Sequence, residues 1–185
     1  MKASGCKHVI FGIESGSQRI VDLMRKHYQI EDADRTIRWM HEAGITATCN
    51  FMFGFPGETD ADFQETLGFL KRNAGFLGRV YPSRTYCGIE EFSYLYGHLE
   101  EFGIKPDPGN YLFWESADGT NTYPERLRRC REFSRLAASL GVEVASGVQT
   151  SVDLDELFNL SRYYELKQDY ENSIGCQEKI RQLHG

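Results

Sequence analysis

Two stretches of this sequence decide its fold class: HVIFGIESGS at residues 8–17 and TCNFMFGFPGET at residues 48–59. Each is an apolar run that ends in small and acidic residues and then leads into a helical pattern. In a parallel α/β sheet, the loops at the carboxyl ends of the strands hold ligands, and both stretches have this layout. The sequence therefore predicts an α/β fold with parallel strands and a ligand site at one edge of the sheet.

The composition is that of an ordinary globular chain. Its 185 residues are 41% hydrophobic and carry a net charge of −6, which argues against a general nucleic-acid surface. No run approaches the roughly 18 apolar residues that cross a bilayer, and no apolar leader is present, so we expect a cytoplasmic protein without membrane contact. The five cysteines are widely dispersed, which favours reduced thiols used as small core residues.

The periodicity alternates between strand and helix. Three strands are convincing, which is too few to close a barrel, and a short fourth is possible. Strands are predicted at residues 7–13 (buried on both faces), 45–54, 79–87 (interrupted or ended near Pro82) and 142–148. Helices are predicted after Ser17, at Ile30 and Thr59, at residues 90–102 and from Pro124, with a loop at 104–121 and a helical hairpin from Leu154.

The end of the first strand carries a candidate for ribose recognition. Glu14 and Ser15 lie between that strand and the next helix. A carboxylate at this position can accept both hydroxyl protons of a ribose, and a serine hydroxyl can assist. Gly12 and Gly16 would let the backbone approach a ligand closely. The alternative is that Glu14 and Ser15 only cap the helix.

The second stretch contains a rigid turn made of Gly54, Phe55, Pro56 and Gly57. Its backbone groups could hydrogen-bond the edge of an adenine, and Phe55 could form an apolar wall. Taken alone, an ordinary Pro-Gly turn is the better interpretation. The occurrence of both motifs in one chain strengthens the prediction of a ligand site.

In order and spacing, FGIESGS (11–17), MRK (24–26), EAGI (42–45) and FGFPGET (53–59) resemble the second half of a radical S-adenosylmethionine (SAM) barrel. They are most similar to the branch that often carries an upstream cobalamin-binding domain. The resemblance covers residues 7–86 and, more weakly, residues 111–144. It implies a partial, incomplete TIM-type radical SAM barrel with parallel strands, followed by an α-helical C-terminal region.

The resemblance also implies roles for residues. Glu14 and Ser15 would contact the ribose of SAM, and residues 54–57 would contact its adenine. Lys26 is a candidate for the methionyl carboxylate, although a solvated helix end is the favoured alternative. The family cleaves SAM reductively with a [4Fe–4S] cluster held by three cysteines at three- and two-residue gaps, and this sequence has no such motif.

We therefore expect a fragment that is inactive alone and that contributes one side of the SAM site. Its partner would be a missing N-terminal half or an upstream domain, with the cluster in the intact parent and cobalamin as a candidate second cofactor there. The first strand should have an open edge, so we expect self-association, poor solubility or dependence on that partner. The sequence does not identify the substrate or choose between radical transfer and rearrangement.

Three regions are predicted: residues 1–88 as the half-barrel, 89–150 as a post-barrel region and 151–185 as a helical hairpin. The hairpin resembles one tetratricopeptide repeat, through Leu157, Leu160, Tyr164, Tyr170 and Ile174. A simple amphipathic hairpin is equally compatible. The alternative function is a non-catalytic interaction module, in which the half-barrel supports this tail.

A basic stretch in the helix after Pro124 invites a phosphate-binding interpretation. Glutamates are interleaved with its arginines, however, so a solvated helix face is the favoured interpretation. The arginines are Arg126, Arg128, Arg129, Arg131 and Arg135.

Overall fold

A computed structural model describes residues 1–83, 86–105, 110–145 and 153–184. Within these ranges, strands and helices alternate up to the helical C-terminal region. The strands are β1 (His8–Glu14), β2 (Thr46–Phe51), β3 (Arg79–Pro82) and β4 (Glu143–Val144). The helices are α1 (Gln18–Leu23), α2 (Ile30–Glu42), α3 (Asp60–Asn73), α4 (Tyr123–Ser139), α5 (Leu154–Leu166) and α6 (Tyr170–His184).

The four described strands form one parallel sheet in the order β1-β2-β3-β4. Because neighbouring strands run in the same direction, their carboxyl ends meet at one edge, which is where the sequence placed the site. The register of β1 against β2 shifts between Gly12 and Glu14. The predicted short fourth strand is present at β4, and the rest of that prediction, from Ser146, lies outside the described residues.

Strand β1 is an edge strand, and the prediction that both its faces are buried was wrong. Ile13 is buried, but Ile10 is 61% exposed, and exposed residues alternate with half-buried ones along the strand. Strand β3 shows the same alternation. One sheet face is thus covered by helices and the other is open. A continuous apolar run does not distinguish these two arrangements.

An aromatic core joins the sheet to α3 and α4. The Phe133 ring of α4 lies 4.5 Å from the Phe51 ring and 5.3 Å from the Phe53 ring. The Phe63 ring of α3 meets Phe53 edge-on at 6.3 Å. Such pairs add to the stabilisation from area burial, so this cluster fixes both helices against the carboxyl half of β2.

Helix α3 begins with a capping box that also holds α1. The Thr59 side chain accepts from the Asp62 N–H, and Asp62 accepts from the Thr59 N–H at 2.8 Å. Asp62 also accepts from the Ser17 hydroxyl at 2.8 Å and from Arg19 Nε at 3.0 Å. Burial alone would raise the pKa of Asp62, but the hydrogen bonds from Arg19, Thr59 and Ser17 outweigh it and hold the pKa below its usual range.

The helix predicted at residues 90–102 is not formed. This segment consists of turns with one 3₁₀ turn at Tyr96–His98. Phe92 has a φ of 69° and is almost fully exposed, a backbone conformation that no α-helix tolerates. The Tyr94 and His98 rings instead stack at 4.0 Å, and the segment folds back over the carboxyl edge of the sheet.

The predicted C-terminal hairpin is present as α5 and α6. The Ser161 and Ser173 hydroxyls lie 3.0 Å apart where the helices cross, and Leu157, Cys176 and Ile180 form a small core. The Tyr163 hydroxyl donates to Glu115 at 2.6 Å and so ties α5 to the preceding loop. Its likeness to a tetratricopeptide repeat and the three domain boundaries stay predictions.

Within the described ranges, no helix has both the length and the apolar character needed to span a membrane.

Candidate functional site

The site is built on an ion pair at the carboxyl end of β1. Glu14 Oε1 lies 3.1 Å from Lys26 Nζ, and Lys26 Nζ also donates to the Gly12 carbonyl at 2.9 Å. A Cβ atom added to Gly12 would lie 2.6 Å from Glu14 Oε1 and 3.1 Å from Lys26 Nζ. Gly12 is therefore required here to leave space for the pair. Sequence analysis made both residues candidates for the site, with a solvated helix end favoured for Lys26, and the structure brings the two side chains together.

Backbone strain is concentrated beside this pair. Glu14 has a φ of 66°, Arg25 a φ of 56° and His27 a φ of 54°. Residues other than glycine rarely adopt this region, and such residues cluster at functional sites. The left-handed conformation of Glu14 coincides with the break in strand register between Gly12 and Glu14.

A cavity of about 370 Å³ opens beside the pair. One side is charged, through Glu14, Arg25 and Lys26, and the other is apolar. The Arg25 guanidinium lies over the Tyr94 ring at 5.0 Å, so the segment at residues 90–102 forms one wall. The apolar and aromatic lining consists of Leu23, Met24, Met52, Phe55, Tyr94, Leu95 and Phe102. A concave, mostly apolar site with a few placed charges is typical of small-molecule binding.

Ser15 and Gly16 lie behind the cavity. The Ser15 hydroxyl is buried, lies 3.2 Å from the Thr66 hydroxyl and accepts from the Ser17 N–H at 3.1 Å. A Cβ atom on Gly16 would lie 2.7 Å from Thr66 Cα. Gly16 therefore permits the close approach of α3 to the loop, and Ser15 anchors that contact. The structure does not bring Ser15 together with Glu14 in the cavity wall.

The turn after β2 supplies the apolar end of the cavity. Gly54 and Gly57 have φ angles of 74° and 84°, which only glycine adopts without strain. Phe55 lines the cavity and meets the Phe102 ring edge-on at 6.2 Å, while Pro56 is buried. The Gly57 carbonyl accepts from Arg19 at 2.6 Å. Of the four predicted turn residues, Phe55 is the one whose side chain faces the cavity.

Two arginines of α4 are buried against this turn, and the prediction that they form a solvated helix face was wrong for both. Arg129 pairs with the buried carboxylate of Glu58 at 2.7 Å, and Arg126 contacts Asn121 at 3.0 Å. Burial raises the pKa of Glu58, and the Arg129 charge opposes that shift. Arg126 and Arg129 share a helix face with Cys130 and Phe133, and this spacing was the signal available in the sequence.

The chain's own thiols do not fit a metal cluster. Cys49, Cys87, Cys130 and Cys176 are buried, and Cys6 is partly exposed. Burial raises the pKa of Cys49 and of Cys87 to about 12, which keeps both protonated. Among the described residues, no group of three or more His, Cys, Asp or Glu side chains is placed to hold a metal ion.

A known family matches the segment that carries most of the site. Residues 1–70 match the Radical SAM superfamily. The resemblance predicted from the sequence is thereby confirmed for these residues. The matched residues include β1, the Glu14–Lys26 pair, β2 and the turn at residues 54–57, so the radical SAM assignment covers most of the cavity described above.

The sequence relatives include a methylthio-adenosine synthase and a methylthiotransferase. A 69-residue segment is 39% identical to tRNA-2-methylthio-N(6)-dimethylallyladenosine synthase of Moorella thermoacetica and covers 36% of this chain and 16% of that enzyme. A 78-residue segment is 38% identical to the ribosomal protein uS12 methylthiotransferase RimO of Desulforudis audaxviator, covering 39% and 17%. The match thus spans about a sixth of each relative's length.

Among solved structures, the chain is similar to the archaeal Elp3 of Methanocaldococcus infernus with an N-terminal deletion. The TM-score is 0.54 at 18% identity, over 82% of this chain and 32% of that chain. Similarity at this identity shows the fold alone. It confirms the predicted partial parallel barrel followed by a helical C-terminal region.

Proposed function

We propose that this chain contributes the ribose and adenine side of an S-adenosylmethionine site in a radical enzyme. The observation that carries the proposal is the Glu14–Lys26 pair at the mouth of a cavity whose far side is apolar. The pair lies at the carboxyl end of a strand within the segment that matches the Radical SAM superfamily. A cavity of about 370 Å³ is in the range of small-molecule sites.

Each part of the ligand has a chemically suitable partner. The Glu14 carboxylate would accept hydrogen bonds from the two ribose hydroxyls, and the Lys26 ammonium would pair with the methionyl carboxylate. Adenine would lie at the apolar end, against Phe55 and Phe102, with backbone groups of residues 54–57 at its edge. Binding would replace the Glu14–Lys26 ion pair by ligand contacts. Glu14 would then have hydroxyl donors and Lys26 a carboxylate, so neither charge would be left without a polar partner.

Ser15 would act indirectly. Its bonds to Thr66 and Ser17 hold the loop that carries Glu14 against α3. We therefore assign Ser15 to support of the ribose site, behind the residue that would touch the ligand.

The [4Fe–4S] cluster of the family supplies the electron that cleaves SAM when it is bound. The thiols of this chain do not form its donor set, so we propose that its ligands come from a separate segment or subunit and that these residues are inactive without it. Cobalamin stays a prediction from the sequence resemblance. The methylthiotransferase names of the sequence relatives favour radical-dependent group transfer over rearrangement.

Calorimetric titration with S-adenosylhomocysteine tests the proposal. Glu14→Gln removes the charge but keeps the shape, and loss of a charge-assisted hydrogen bond should weaken binding about 10- to 100-fold. Glu31→Gln, at an exposed position of α2, is the matched control and should leave the affinity unchanged. Equal affinities for the unaltered chain and Glu14→Gln, or no binding by the unaltered chain, would refute the assignment.

A second candidate is an interaction module, favoured by the exposed apolar side chains of the C-terminal hairpin. Phe158 is 55%, Tyr170 63% and Ile174 52% exposed. Large exposed apolar side chains on one element indicate a protein contact. This candidate predicts that the chain binds no adenosyl ligand, so the same titration separates the two functions.

A further inference from the structure

The turn at residues 54–57 is held from behind by Asn121, which follows it by 67 residues. The buried Asn121 side chain donates from Nδ2 to the Gly54 carbonyl at 2.9 Å and to the Phe55 carbonyl at 3.4 Å. Its Oδ1 atom accepts from Arg126 Nη1 at 3.0 Å. Because arginine only donates, this contact fixes which end of the amide faces the turn.

Arg126 is itself fixed by the backbone of the loop before α4. Its Nη2 atom donates to the Leu112 carbonyl at 2.6 Å and to the Trp114 carbonyl at 3.0 Å, and the guanidinium lies 4.2 Å from the Trp114 ring centroid. Burial lowers the pKa of Arg126 to about 10, so it remains charged at neutral pH. A Cβ atom on Gly54 would overlap the Arg126 side chain, which shows how closely the turn is packed.

A second connection holds the other side of Gly54. Glu58 Oε2 accepts from the Gly54 N–H at 2.6 Å and from Arg129 Nη1 at 2.7 Å. Arg129 is in turn fixed by Glu125, which accepts from its Nε at 2.9 Å. Both backbone polar groups of Gly54 are thus bonded to side chains that α4 and its preceding loop hold in place.

We propose that Asn121 and Arg129 are positioning residues for the nucleoside side of the cavity. They act through the turn: Asn121 and Glu58 fix the backbone of Gly54, and Gly54 sets the direction in which Phe55 enters the cavity. This role rests on the proposed function, because it assumes that the nucleoside binds against Phe55. It makes the segment between β3 and β4 a determinant of affinity for the adenosine part of the ligand.

Asn121→Asp tests the role with little change in shape. The aspartate keeps an acceptor for Arg126 but has no N–H to donate to the Gly54 carbonyl. We expect affinity for S-adenosylhomocysteine and for adenosine to fall about tenfold, the effect of one hydrogen bond. Hydrogen–deuterium exchange should become faster in residues 53–58 and stay unchanged in β1. Arg129→Lys should weaken both ligands less than Arg129→Met, because the ammonium can still pair with Glu58.

Arg35→Met is the control. Arg35 lies on α2, is 61% exposed and pairs with Asp32 at the surface, away from the turn, so neither readout should change. Unchanged exchange and affinity in Asn121→Asp, with affinity still lost in Glu14→Gln, would overturn the positioning role and leave the proposed function standing. No binding by the unaltered chain would overturn both. A fall in unfolding temperature with unaltered adenosine affinity would reduce Asn121 to a structural role and overturn the inference.

Discussion

Replacing Arg129 by methionine should destabilise the protein strongly, because it leaves a carboxylate buried without its partner. The Glu58 side chain is 2% exposed and the Arg129 side chain 5% exposed, so water cannot take over the lost interaction. In Arg129→Met, the bond from the Gly54 N–H would be what the described residues still offer the Glu58 carboxylate. Removing one member of a buried ion pair costs about 3–5 kcal/mol, and we expect a loss of that size in the free energy of unfolding at pH 7.

Urea unfolding followed by circular dichroism measures this loss. Arg128→Met is the control, since Arg128 is 47% exposed and its ion pairs should contribute less than about 1 kcal/mol. The double variant Glu58→Gln/Arg129→Met removes the buried charge and should recover much of the loss. Equal destabilisation by Arg128→Met and Arg129→Met, or no recovery in the double variant, would refute the reasoning.

The pH dependence of the destabilisation by Arg129→Met provides an independent test. Burial already raises the pKa of Glu58, and removing the Arg129 charge that opposes this shift should raise it further. A carboxyl whose pKa is raised in the folded state contributes most to stability below its unfolded-state pKa of about 4.5. That contribution is lost as the pH rises through the folded-state pKa. The destabilisation by Arg129→Met should therefore shrink as pH falls from 7 towards 4.5. A penalty that grows over this range would contradict a buried, unpaired Glu58.

Three further outcomes follow from other contacts. Gly16→Ala should destabilise by about 1–3 kcal/mol in urea unfolding, because its Cβ would lie 2.7 Å from Thr66 Cα, whereas Gly75→Ala has open space and should not. Asp62→Asn should lower the free energy of unfolding by about 1–2 kcal/mol at pH 7. Because the folded state lowers the pKa of Asp62, its carboxylate stabilises the protein above pH 3.8, and this contribution is lost as the pH falls below that value, so the stabilities of the two proteins should converge in acid. Asp60→Asn, at an exposed position, should change the stability little. Ile10→Lys on the open face of β1 should reduce self-association in analytical ultracentrifugation, whereas Trp39→Lys, equally exposed on α2, should not.

The elements with a clear period were predictable from the sequence, and those decided by distant contacts were not. Strand β2 and helix α3 follow apolar patterns with local stop and start signals, and Thr59 caps α3 as expected. The open face of β1 was missed because an apolar run looks the same when one face has no covering layer. The helix predicted at residues 90–102 does not form, because aromatic packing over the cavity outweighs a weak helical pattern.

The candidate site divides along the same line. Glu14, Lys26 and Phe55 lie where the motifs placed them, because each follows directly from the end of a strand or an adjoining turn. Ser15 was expected beside Glu14, but one step along the chain turned its hydroxyl to the opposite side, onto Thr66. Arg129 looked solvated because local glutamates could satisfy its charge, and its buried partner is 71 residues away. Only the tertiary structure brings that partner close.

These contacts change what the proposed boundary at residue 88 means. The motifs that would touch the ligand precede it, but much of their geometry is supplied by residues that follow it. Strand β4 pairs with β3, the Trp114 indole donates to the Cys87 carbonyl at 2.6 Å, and Asn121 bonds the turn at Gly54. Because buried hydrogen bonds and ring packing cross the boundary, we expect residues 1–88 and α4 to unfold as one cooperative unit. The proposed ligand-binding motif and the elements that position it are therefore separate in sequence, and we expect them to unfold together.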